Sequence, residues 1–190
     1  MGLPSTHTAA MRVKPLHALL GAAYGLTLLL AHLVAPLPMV VGVISGLLAV
    51  VLVCLSVIDA ESFILPDILT LPLCAAGLIV TWMLRTDPVW THVLAGAFGG
   101  VAFWAVDDLY LRLRGRHGLG GGDAKLFAAA GAWLGPWGLP SVLLWACGTA
   151  ILDVLRQRAF AQTSMAGHRL AFGPHLAFGF WLVWLFGPLQ

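Results

Sequence analysis

Apolar stretches of near-membrane length recur along this chain, and they leave few folds open. Seven run at about 15–34, 38–58, 68–84, 91–109, 124–135, 138–154 and 171–187. Most approach the ~20 residues that a helix needs to cross the hydrocarbon. Only 9% of the 190 residues are charged and 60% are hydrophobic, against about 25% charged in a soluble domain. Such a chain cannot cover its surface with polar groups, so its solvent is the lipid bilayer. The expected fold is all-α: a polytopic bundle of about 6–7 transmembrane helices. Residues 1–14 read as a cytoplasmic polar tail, and 15–190 as one membrane-embedded domain. The fifth stretch is short and broken by Gly131, Gly135 and Pro136. It reads as a short span or a re-entrant element, either of which is tolerated where protein shields the backbone.

Orientation follows from the basic residues. Arg12, Lys14, Arg112, Arg114, Arg116, Lys125, Arg156, Arg158 and Arg169 fall on one side when the spans alternate, and Arg85 on the other. The positive-inside rule makes the first side cytoplasmic. The amino terminus is then inside and the carboxyl terminus outside. No cleavable signal peptide is evident. Trp90, Trp133 and Trp137 lie near expected outer ends, as interfacial anchors do. Gly96, Gly99 and Gly100 are spaced for close helix packing.

The same alternation brings two acidic signatures to the cytoplasmic side. Asp59 ends an uncharged span and is followed by Glu61 and Leu65-Pro66-Asp67. Asp123 follows Gly120-Gly121-Gly122 and precedes Lys125. An ionisable residue near lipid is a functional hypothesis by default. Two carboxylates sharing a site do not both ionise cheaply. One can take a proton from water while the other, protonated, hydrogen-bonds a scissile carbonyl. The glycines permit positive φ and close approach of another chain. Lys125 either acts electrostatically on a carboxylate or snorkels to headgroups. Asp67 either caps the third helix behind Pro66 or contacts substrate. Asp107, Asp108 and Asp153 read as helix-end charges near Arg112 and Arg156. Cys54, Cys74 and Cys147 form no CxxC, and the seven histidines are scattered. Neither metal nor cofactor is expected, and the net charge of +2 gives no sign of a nucleic-acid partner.

Ile58-Asp59, Leu65-Pro66-Asp67-Ile68-Leu69-Thr70-Leu71-Pro72, Gly122-Asp123-Ala124-Lys125-Leu126 and Phe172-Gly173-Pro174-His175-Leu176-Ala177 occur in order. Together they resemble the prepilin peptidase family of membrane aspartyl proteases, over roughly residues 40–187. The resemblance implies cleavage of the basic leader from type IV prepilins or type II secretion pseudopilins. The cut falls after a glycine, just before the hydrophobic helix that becomes the pilin stem, at the cytoplasmic face of the bacterial inner membrane. Asp59 and Asp123 become the catalytic pair, with Glu61, Asp67, Gly120, Gly122 and Lys125 in binding or supporting places. An acidic stretch suits a basic leader. Many family members carry an amino-terminal CxxC domain and methylate the new terminus. About fourteen residues precede the first span here, so the implied form is a minimal peptidase without methyl transfer. The alternatives are a small ion-coupled transporter, for which broken helices with acidic residues are also a mark, and an inactive secretion-system scaffold.

Overall fold

The computed structural model describes residues 6–35, 38–84, 87–115, 118, 120–160 and 170–189, with residues 6–18 and 160 described by backbone alone. Six helices follow one another: α1 (Thr6–Val34), α2 (Met39–Ser62), α3 (Asp67–Leu84), α4 (Val89–Arg114), α5 (Gly121–Phe160) and α6 (Gly173–Phe186). The all-α expectation is met, and the chain is a multi-pass membrane protein. Four of the helices, α2 to α5, are long and apolar enough to cross a bilayer among the described residues. Shorter apolar segments lie at Leu19–Val34 and Gly173–Phe186. Large apolar side chains such as Leu47, Phe98, Trp104 and Leu152 are exposed on the outside, where lipid rather than water receives them. Helix α1 begins at Thr6, nine residues before the first expected span. Arg85, Arg116, Arg169 and His168 lie outside the described residues.

Helix α5 is where two expected spans share one element. Its 40 residues would extend ~60 Å if straight, twice the ~30 Å hydrocarbon core. It is not straight. Gly135 takes φ 68° and ψ −172°, a left-handed φ that glycine adopts at no steric cost. Pro136 follows and has no N–H to continue the preceding turn. A methyl group placed on Gly99 of α4 would lie 3.2 Å from Phe127 and 3.5 Å from Leu139. Twelve helical residues would otherwise carry Leu139 about 18 Å beyond Phe127. The chain therefore doubles back at Gly135, giving a first arm (121–134) and a second arm (136–160).

Small residues let the first arm lie tightly on α4. A methyl on Gly131 would fall 2.6 Å from the Ala95 backbone, and one on Gly100 3.2 Å from Ala128. The glycine spacing in α4 thus serves packing, as expected. The second arm runs antiparallel to α6. Gly179 sits against the backbone of Val142 and Ala146, and the Leu189 N–H donates to Ser141 Oγ at 2.9 Å. Helix α6 is the centre of the bundle, with Leu176, Ala177, Phe180 and Trp181 wholly buried.

Several polar groups inside the bundle are met from within, as a bilayer favours. Trp181 Nε1 donates to Thr27 Oγ1 at 2.8 Å, and Trp184 Nε1 to Ser45 Oγ at 2.9 Å. Trp133 departs from the interfacial role expected of it. It is buried, its Nε1 donates to the Leu73 carbonyl at 2.8 Å, and its ring packs edge-on against Trp184 and Phe180. Trp90 and Trp137 are exposed, in keeping with anchoring.

Candidate active site

The buried face of α2 carries Leu48, Leu52, Leu55, Ser56 and Asp59. This three-to-four residue spacing is one stripe of a helix, so Asp59 turns inward with the leucines. It stands in the last turn of α2, whose end is set by Phe63 at φ 55° donating its N–H to the Asp59 carbonyl at 2.9 Å. Only residues 63–66 separate α2 from α3. Asp59 is therefore a helix residue at the end of its span, as expected. Glu61, two positions on, is exposed in that last turn and is not among the residues lining the cavity described below.

Asp123 is the third residue of α5, and its N–H donates to the Gly120 carbonyl at 2.9 Å. It begins the buried stripe that continues through Leu126, Phe127, Ala130 and Trp133. The glycines before it act differently from expectation. None has a positive φ. Gly122 is required by close approach instead, because a methyl there would lie 2.6 Å from Leu65 Cβ. Gly120 is exposed, and a methyl on Gly121 would meet nothing within 4 Å.

Asp59 and Asp123 are each 6% exposed and line one cavity of about 580 Å³. That volume falls within the ~300–1,000 Å³ of ordinary ligand sites. Asp67, Lys125, Gly120 and Gly122 line it too, and Phe63, Ile64 and Leu65 complete its wall. Lys125 Nζ pairs with Asp67 Oδ1, tying α5 to α3 at the cavity's edge. Of the alternatives left open for these two residues, the observed contact is with each other. Asp108 with Arg112 and Asp153 with Arg156 form helix-surface ion pairs at 2.8 and 3.1 Å, as read from their spacing.

One participant has no expected role in the sequence reading. The Gly173 N–H, at the start of α6, donates to Asp59 Oδ2 at 3.0 Å. A methyl on Gly173 would lie 2.5 Å from that oxygen, so only glycine leaves the carboxylate in place. The sequence signal available was Pro174, which suits a helix's first turn and marks Gly173 as a helix start with an N–H to give. Asp123 Oδ1 is buried with no hydrogen-bond partner. Two carboxylates in one recess, one held by a backbone donor and one with a bare oxygen, have the composition of an acid–base pair for hydrolysis.

The type IV leader peptidase family matches residues 46–155, a stretch that includes both aspartates. Among curated proteins, the chain is 39% identical over 127 residues to a prepilin leader peptidase/N-methyltransferase of Dickeya chrysanthemi, covering 67% of this chain and 44% of the relative. Identity to the protein of that name in Dichelobacter nodosus is 38% over 136 residues, 72% of this chain and 46% of the relative. For the one in Klebsiella pneumoniae it is 40% over 140 residues, 73% and 60%. The chain spans about half the length of the curated relatives it matches. No solved structure matches.

Proposed function

The chain belongs to the type IV leader peptidase family, and on that premise we propose that it is an aspartyl endopeptidase of the bacterial inner membrane. Its substrates are type IV prepilins or type II secretion pseudopilins. It removes their basic leaders at the cytoplasmic face, cutting after a glycine. The observation that carries this reading is the shared recess of Asp59 and Asp123.

Water held between the carboxylates attacks the scissile carbonyl. The ionised member takes the water's proton, and the protonated member hydrogen-bonds the carbonyl oxygen as it gains charge. The pair then returns a proton to the leaving amine, so one proton shuttles and no cofactor enters. Gly173 holds Asp59 in line. Gly122 and Leu65 keep the α5 start against the 63–66 linker, which sets the spacing of the pair. Lys125 and Asp67 brace the two helices that border the substrate's path.

The test is co-expression with a prepilin, read by mass. Asp59→Asn and Asp123→Asn should each abolish the leader-sized mass loss while the protein stays in the membrane fraction. Processing that survives either change would sink the dyad. The same spectra report whether the new terminus gains a methyl group, the second activity in the relatives' names.

A further inference from the structure

A second cavity, of about 270 Å³, lies in the seam between α2 and α3. Leu47 and Val51 line one side, Ile68, Ala76 and Val80 the other, and Trp133 forms its floor. No charged or polar side chain lines it apart from the Trp133 indole, whose N–H is already given to Leu73. Its rim is open to the outside: Leu47 is 66% exposed and Ile68 81%.

The seam exists because consecutive helices lean on different partners. Helix α2 is held to α6 through Ser45 with Trp184 and Asp59 with Gly173. Helix α3 is held to the first arm of α5 through Leu73 with Trp133 and Asp67 with Lys125. The seam also continues the catalytic recess. Pro66 and Asp67 line the recess, and the next two residues, Ile68 and Leu69, begin the seam. Pro72, also in the seam, has no N–H to give to the Ile68 carbonyl.

We propose that this seam docks the apolar helix that follows the scissile bond of the substrate. The inference rests on the leader-peptidase reading. A peptide bond lying between Asp59 and Asp123 places the residues after the cut at Ile68. The substrate's span then descends along the seam, with anchors at i, i+3, i+4 and i+7 facing Leu47, Ala76 and Val80. Ala76 allows the close approach that helix pairs in lipid favour.

The test places a photoreactive residue at Leu47, Ile68 or Val80, with Leu94 and Phe98 on exposed α4 as controls. An Asp123→Asn background keeps the substrate uncut. Illumination should join the substrate's helix to seam positions and not to the controls. Adducts from Val80 should map roughly 12 residues deeper in the substrate than those from Ile68, following the helical rise. In the active chain, Ala76→Phe should raise KM about tenfold with kcat little changed, the signature of lost ground-state binding. Lipid adducts alone, or equal yields from α4, would overturn the docking surface while cleavage by the unmodified chain upheld the peptidase reading. Absence of cleavage by the unmodified chain removes that reading and the docking surface with it.

Discussion

Asp59 and Asp123 are equally buried, but their oxygens are held differently, and that difference is measurable as stability. Asp59 Oδ2 takes the N–H of Gly173, a buried residue. Asp59→Ala leaves that donor without a partner, at a cost of about 1–3 kcal/mol. Asp59→Asn retains an acceptor oxygen and avoids most of the loss. Asp123 Oδ1 has no donor to lose. Its carboxylate otherwise meets the backbone of Gly120, which is exposed and can turn to water. Thermal unfolding in detergent should therefore show a lower midpoint for Asp59→Ala than for Asp59→Asn. Asp123→Ala should unfold no earlier than the parent, though inactive on the proposed reading, because it removes a buried oxygen that has no donor. Equal losses from the two alanine variants would contradict this asymmetry. The inward turn of Asp59 was legible, since it sits on the stripe of Leu48, Leu52 and Leu55. The Gly173 contact was not, because it joins residues 114 positions apart and no local pattern encodes that pairing.

The first arm of α5 positions Asp123, and its fit on α4 depends on a missing methyl. At Gly131 a Cβ would lie 2.6 Å from the carbonyl carbon and oxygen of Ala95. These are backbone atoms and do not yield as a flexible side chain does. Gly131→Ala should push the arm off α4, costing about 1–3 kcal/mol as overpacking does, and should lower processing because Asp123 moves with the arm. Gly148 lies in the second arm, and a methyl there meets nothing within 4 Å. Gly148→Ala is the matched control. It should be neutral or stabilising by up to ~1 kcal/mol through helix propensity. Unfolding midpoints of the two variants check this, and similar shifts would mean that the tight contact is unimportant. The break after this arm was legible in Gly135 and Pro136, whereas Gly131, read with them as a breaker, is helical and serves packing on α4. The place of Trp133 was not legible. Its place near an expected outer end suggested a membrane interface, whereas the arm is short and its end is covered by α3 and α6, so the indole is buried against Leu73.

The doubling back at Gly135 decides the topology of the whole molecule. With α5 as two crossings and each other helix as one, the described helices make seven crossings, within the 6–7 expected from the apolar stretches. With α5 as a single rod they would make six. An odd count puts the two ends on opposite sides, and an even count puts them together. The helix ends that carry Asp59, Asp67, Asp123 and Gly173 all meet around one recess, as alternating crossings require. On the proposed orientation, which follows the excess of Lys and Arg, that end faces the cytoplasm. A reporter that is active only outside the inner membrane should therefore work when fused after Gln190 and fail when fused in the 115–120 linker. A reporter that fluoresces only in the cytoplasm should show the reverse. Identical signals at the two sites would mean that α5 does not reverse across the bilayer. Opposite signals with the sides exchanged would place the aspartates away from the cytoplasm, where a basic leader that has not been translocated cannot reach them.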